Sequence, residues 1–330
     1  MVNTPEKLLL AAPRGYCAGV DRAVQTVERA LEMHGAPVYV RKEIVHNKHV
    51  VAELRERGAI FVEEETDVPE GAVCVFSAHG VAPSVRKGAE ERNLQTIDAT
   101  CPLVTKVHRE ATRFAEQGYT IVLVGHDGHE EVEGTMGEAP EQIVLVQSEE
   151  DVDALELDDP ERVAYITQTT LAVDETSSIV ARLQERFPSI VGPRTDDICY
   201  ATTNRQSAVK QMAASCDLML VVGSRNSSNS VRLVEVARDC GTDAHLIDSV
   251  GEVQEEWLAG VRVLGISSGA SAPEHLVTEL VDFFRARGVQ DISEFHVIRE
   301  DVRFMLPKPI REGHANADRL RPAPGQPLRL

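Results

Sequence analysis

The sequence predicts an α/β protein built from three pseudo-symmetric α/β units with mainly parallel sheets. Three observations carry that prediction. Short apolar runs alternate with helical patterns from end to end. Cys17, Cys101 and Cys199 each stand after a strand-like run and before a helix. Downstream of each, polar side chains recur after strands at similar intervals: His46 and His79, then His129 and Thr169, then Ser227 and Ser271.

The strand-like runs fall at 8–12, 38–44, 73–77, 96–99, 121–125, 143–146, 163–167, 218–223, 244–247 and 261–266, with weaker ones at 60–62 and 190–194. Helical patterns occupy 21–33, 48–57, 102–117, 174–186, 204–215, 230–239 and 273–287. In the last of these, Leu276, Leu280, Phe283 and Phe284 form an apolar stripe at helical spacing, which reads as core packing. The segments 63–70 and 149–161 are acidic and read as solvated loops and helix faces. The proline-rich segment 307–330 lacks periodicity and reads as a disordered tail.

With 330 residues the chain has room for two or three domains, and 42% apolar with 26% charged residues is the composition of a globular protein. Lys and Arg number 34 against 53 Asp and Glu, a formal charge of −19. That field repels phosphate, so nucleic acid and anionic membranes are poor partners, and an anionic ligand needs local donors in a shielded pocket. No apolar run approaches the ~20 residues of a membrane span, and the start lacks a signal peptide's pattern, so a cytoplasmic location is expected.

Six cysteines without a CxxC pair exclude the common zinc-ribbon and thioredoxin patterns. Cys74, Cys216 and Cys240 sit in a strand or near helix ends and read as packing residues. Ligands of open α/β sheets bind beyond the carboxyl ends of strands. Three units pointing those ends at one centre would bring together the thiols of Cys17, Cys101 and Cys199, the imidazoles of His46, His79 and His129, and the hydroxyls of Thr169, Ser227 and Ser271. Three thiolates without a fourth suggest a metal centre with an open position. Zinc with a bound water and a four-iron four-sulfur cluster with one free iron both answer that description. Helix N-termini would favour the thiolate form.

Residues 125–134 carry two histidines and three glutamates, but Glu133 stands where the HExxH zinc motif needs histidine. His129 with Glu131 could instead pair an anion donor with an acid, and His126 could orient the loop. The serine- and asparagine-rich loops 223–230 and 267–273 could cradle phosphate or merely cap helices.

Several segments together resemble one family: PRGYCAGVDR at 13–22, EIVHN at 43–47, FSAHG at 76–80, DATCPLV at 98–104 and GHEEVEGT at 128–135. TQTT at 167–170, DICYATTN at 197–204, SRNSSNS at 224–230 and GAS at 269–271 extend the likeness. The family is 4-hydroxy-3-methylbut-2-enyl diphosphate reductase (IspH or LytB), and the resemblance runs from about residue 8 to about residue 306. Glu130 departs from it, since many members carry proline there. The resemblance implies reductive removal of an allylic hydroxyl, giving isopentenyl and dimethylallyl diphosphates in the last step of the non-mevalonate pathway. It implies one 4Fe-4S cluster on Cys17, Cys101 and Cys199 with the fourth iron open. It also implies a diphosphate held by His46, His79, His129, Ser227, Ser228, Asn229 and Ser271, with Thr169 and Glu131 orienting the hydroxyl and delivering protons. An electron donor such as ferredoxin or flavodoxin would be the partner. The expected domains are 19–101, 102–195, and 1–18 with 196–306.

Overall fold

The computed structural model describes residues 4–313. In chain order these form β1 (Lys7–Ala12), α1 (Ala18–His34), β2 (Val38–Arg41), α2 (Lys48–Glu56), β3 (Ala59–Val62), β4 (Val73–Phe76), α3 (Pro83–Glu91), β5 (Gln95–Asp98) and α4 (Pro102–Glu116). There follow β6 (Thr120–Val124), α5 (Glu130–Met136), β7 (Ile143–Val146), α6 (Glu149–Ala154), β8 (Val163–Thr167), α7 (Val173–Arg186) and α8 (Tyr200–Ala213). The chain continues through β9 (Leu218–Val222), α9 (Ser228–Asp239), β10 (Asp243–Ile247), β11 (Val263–Ser268), α10 (Glu274–Ala286), β12 (Asp291–His296) and α11 (Lys308–Gly313).

The strands form three all-parallel sheets, ordered β3-β2-β4-β5, β7-β6-β8 and β10-β9-β11-β1-β12. One pattern underlies all three. The second strand of each order pairs with a later strand on its far side, and that strand pairs in two sheets with a further one, β5 or β1. In the middle sheet the further position holds only a bridge between Ala164 and Val191. The weak run at 190–194 thus stops at a single residue, because Gly192 and Pro193 follow and proline offers no N–H to a ladder.

β1 is apolar because it is interior. Leu8, Leu10 and Ala11 are buried, and the strand pairs with β11 on one side and β12 on the other. β12, DISEFH, escaped the sequence reading because it is an edge strand, partly exposed and paired only with β1. The short helices α3 and α6 also escaped it, since each buries a single side chain, Ala89 and Val152.

The segment expected to be a tail behaves differently over its first residues. Residues 308–313 form α11, and Ile310, 1% exposed, packs with Leu306 into the core shared by α1 and β2. Residues 314–330 lie outside the described residues. Ile310→Ala should cost about 2 kcal/mol, the low end for a buried aliphatic truncation. Urea unfolding should register this as a lowered midpoint; an unchanged midpoint would contradict the docking of α11.

Candidate active site

Cys17, Cys101 and Cys199 are the N-cap residues of α1, α4 and α8. Each is tied in the same way. The Cys101 N–H donates to Ala78 O (2.9 Å), the Cys199 N–H to Thr169 O (3.1 Å) and the Cys17 N–H to Ala270 O (3.2 Å). Those carbonyls belong to the loops after β4, β8 and β11, which carry His79, Thr169 and Ser271. Within each sheet the order is therefore constant: His46, His79 and Cys101; His129, Thr169 and Cys199; Ser227, Ser271 and Cys17. The cysteine closes its unit instead of opening it, which shifts the grouping read from the sequence by one element.

A second repeated tie links the units. Arg22 in α1 donates to Ala99 O (2.9 Å) and Thr100 O (3.0 Å), just before Cys101. Lys106 in α4 donates to Thr195 O, to Asp196 O (2.9 Å) and to Asp197 Oδ1 (2.8 Å), just before Cys199. Arg205 in α8 donates to Gly15 O (2.7 Å), just before Cys17, while paired with Glu300. The sequence reading missed all three cations. Their signal was a basic residue five or six positions after each cysteine.

One cleft is lined by all twelve residues singled out from the sequence, with Gly19, Val20, Leu103, Val104, Thr170 and Thr202 between them. A Cβ at Gly19 would stand 2.7 Å from Cys101 Sγ and 3.7 Å from Cys17 Sγ, so glycine leaves the thiols room. Burial pushes the thiols up, Cys101 to about 12 and Cys199 to about 11, with Cys17 also raised despite Arg205. Desolvation thus outweighs the helix termini, contrary to the sequence expectation, and a bound metal's positive charge would be needed to hold thiolates. Of the other cysteines, Cys74 is buried and Cys216 half-buried as packing requires, but Cys240 is exposed at the end of α9.

The chemistry of the donor set can be tested on spacing. Three thiolates on one zinc, each at 2.3 Å, must lie about 3.8 Å apart. Among the described residues the group with ligand atoms that close together, within 4.8 Å, is His46, His79 and Glu130. The three thiols are not so closely grouped, and glycine at position 19 leaves room between Cys17 and Cys101 that suits a polynuclear cluster. The His79–Glu130 hydrogen bond and the stacking of His46 on His79 already account for the closeness of that other group.

Three imidazoles face the thiols. His46 and His79 stack with centroids 4.0 Å apart, and His129 meets them edge-on at 5.3 and 5.8 Å. His129 caps α5, its Nδ1 accepting from the Glu131 N–H (3.1 Å), so the neutral ring carries its proton on Nε2. Burial, followed by the neighbouring rings, drives His129 down to about 3 and also lowers His46. His126, by contrast, lies outside the cleft lining and meets Arg232 (2.9 Å).

Glu131 is 2% exposed, and burial raises its pKa. Its carboxyl is held twice by one residue: Oε1 accepts from the Thr169 N–H (2.7 Å) and Oε2 from Thr169 Oγ1 (2.9 Å). Thr202, three residues into the helix capped by Cys199, completes this side with its hydroxyl 3.2 Å from Cys199 Sγ. The same cleft is lined by Ser227, the N-cap of α9, by Ser228 beside it and by Ser271 of the loop after β11. Ser227 accepts from Ser230, Ser271 donates to His46 O (2.9 Å), and Ser228 donates to Thr170 O (3.1 Å). Asn229 Oδ1 accepts from the Ala270 N–H (2.9 Å), yet its Nδ2 is buried with no partner. A buried donor left so is costly unless a ligand satisfies it.

Residues 8–285 match the LytB protein family model. A protein of Nocardia farcinica named 4-hydroxy-3-methylbut-2-enyl diphosphate reductase is 61% identical over 94% of this chain and 92% of its own. A namesake from Mycobacterium ulcerans is 59% identical over 94% of each chain. The solved E-1-hydroxy-2-methyl-but-2-enyl-4-diphosphate reductase of Plasmodium falciparum superposes with a TM-score of 0.91 at 38% identity, covering 93% of this chain and 98% of that one. A second structure is described as that of (E)-4-hydroxy-3-methyl-but-2-enyl diphosphate reductase, the terminal enzyme of the non-mevalonate pathway. It gives 0.62 at 31% identity, over 85% of this chain and 99% of that one. With a family model matched over residues 8–285 and relatives about 60% identical along nearly the whole length, the chain belongs to the LytB family.

Proposed function

We propose that this chain is a 4-hydroxy-3-methylbut-2-enyl diphosphate reductase acting at the end of the non-mevalonate isoprenoid pathway. The observation that carries this reading is the convergence of three half-buried N-cap thiols, three imidazoles and the Glu131–Thr169 pair on one cleft. The reaction breaks an allylic C–O bond, forms one C–H bond and releases water, consuming two electrons and two protons. Its products are isopentenyl and dimethylallyl diphosphates. The functional units are 19–101, 102–195, and 1–18 with 196–306, each centred on one sheet.

Cys17, Cys101 and Cys199 would hold the iron–sulfur cluster. A 4Fe-4S cluster there supplies electrons one at a time and Lewis acidity at the iron that no cysteine binds. The electrons come from a carrier such as ferredoxin or flavodoxin.

The chain's own residues do the rest. The imidazoles of His46, His79 and His129, the hydroxyls of Ser227, Ser228 and Ser271, and the free Asn229 amide bind the diphosphate. Thr169 positions the substrate hydroxyl beside Glu131 Oε2. Burial keeps Glu131 protonated to higher pH than an ordinary carboxylic acid, so it can give its proton to the departing oxygen. The apolar lining from Val20, Leu103 and Val104 excludes water around the carbon chain.

Iron content separates the thiols. Cys17→Ser, Cys101→Ser and Cys199→Ser should each lose most of the iron of anaerobically purified protein, while Cys240→Ser keeps it. Equal losses in all four would contradict the ligand assignment. Arg22→Met should lower iron content and Arg22→Lys restore part of it, because a lysine already performs this task at position 106.

Glu131→Gln should keep its iron and bind substrate, yet turn over about 10²–10⁴-fold more slowly, the range of general acid catalysis. Because the acid form is the active one, parent turnover should fall as pH rises through the raised pKa of Glu131. The variant's residual rate should lack that alkaline fall. Steady-state kinetics with a chemical reductant reads both, and a variant within a few-fold of the parent would remove Glu131 from the mechanism.

A further inference from the structure

Glu130 plays no part in the reading above, yet it touches the diphosphate cradle. It is the first residue of α5, with His129 as the cap before it. Its Oε2 lies 3.0 Å from His79 Nδ1, and the pair is largely buried, with side chains 19% and 14% exposed. Ser77 Oγ reaches the same oxygen at 3.5 Å. Burial works against ionising Glu130, but the His79 hydrogen bond and charge, with Lys42 nearby, hold it below the ordinary carboxylate range.

A carboxylate at Nδ1 constrains the ring. His79 must give its Nδ1 proton to Glu130, and a neutral ring would then turn a bare lone pair at Nε2 toward any ligand. To donate to a phosphate oxygen through Nε2, the ring must carry a second proton. Three rings with centroids 4.0–5.8 Å apart cannot all be cations, because like charges so close repel. His129 can donate from Nε2 while neutral, since the Glu131 N–H occupies its Nδ1. His46 has a weaker claim to the charge. Its Nδ1 stands 3.3 Å from Glu43, whose same oxygen also accepts from Asn226 at 2.8 Å.

We propose that Glu130 is a positioning residue that makes His79 the single imidazolium of the diphosphate cradle. His79 donates Nδ1–H to Glu130 and Nε2–H, its proton taken from solvent, to a diphosphate oxygen. The charged or titratable groups facing this pair are Lys42, Glu43 and His46 from the loop after β2, His129 at the cap of α5 and Glu131 in its first turn. His108 of α4 packs against Gly80 from below. The proposal rests on the diphosphate reading of the cleft.

The test is the pH dependence of substrate affinity in the oxidised holoenzyme, without reductant, by calorimetry from pH 6 to 9.5. Glu130→Gln keeps the shape and removes the charge. Glu130→Pro removes the side chain at a first helical position, where proline is well suited and where the Glu130 N–H makes no backbone hydrogen bond. Parent affinity for the allylic diphosphate should persist furthest into alkali, since binding needs the imidazolium and is lost as pH rises. In both variants that loss should begin at lower pH, with affinity at pH 8 about tenfold weaker. Iron content, measured alongside, should be unchanged. Superimposable profiles, or tighter binding once a negative charge beside the diphosphate is gone, would overturn the role of Glu130 alone. A parent that binds no allylic diphosphate would overturn the reading of the cleft and this proposal with it.

Discussion

Each cysteine of the cleft is gripped from two directions, and both grips are made three times. From its own sheet, the cysteine N–H is fixed to the loop of the neighbouring strand, which sets the thiol beside His79, Thr169 or Ser271. From the adjoining unit, a cation reaches to the carbonyls just before it. Arg22 of the Cys17 helix holds the approach to Cys101, Lys106 of the Cys101 helix holds the approach to Cys199, and Arg205 of the Cys199 helix holds the approach to Cys17. The sequence of grips closes on itself. Three sheets that share no strand are thereby made to present their ends at fixed spacing, and the chemistry of the cleft depends on that spacing.

Desolvation then sets the protonation states. The same burial raises the three thiols and Glu131 and lowers His46 and His129. Each of these shifts favours the uncharged form, inside a chain of formal charge −19. An anionic diphosphate bound as proposed would meet hydroxyls, amide and imidazole N–H groups there, where each hydrogen bond is electrostatically stronger than in water. Glu131 is shifted toward its acid form for the same reason that the thiols are shifted toward theirs, and a metal centre would reverse the second.

The α/β class and the convergence of the cleft residues were legible because periodicity and strand-end placement are local properties. Leu8–Leu10 announces a buried strand, and Cys101-Pro102 announces a helix start. The partner of β1 was not legible, since nothing local says that the first strand inserts between β11 and β12, more than 250 residues away. Nor were the grips, because a surface-seeking Arg22 and a half-buried, carbonyl-binding Arg22 look alike in sequence. Helix N-termini suggested low thiol pKa values at Cys101 and Cys199, and the depth of burial, invisible in sequence, reversed that. Glu130 stood out only as a departure from its family, and its contact with His79 gave the departure a physical meaning.

The central claim is that three cysteines hold a four-iron cluster and leave one iron for the substrate. Mössbauer spectroscopy of the ⁵⁷Fe-labelled, anaerobically prepared enzyme tests it most directly. Three irons should share a thiolate-type signal while a fourth differs, and adding the allylic diphosphate should move the fourth alone. Four equivalent irons indifferent to the diphosphate would contradict the account.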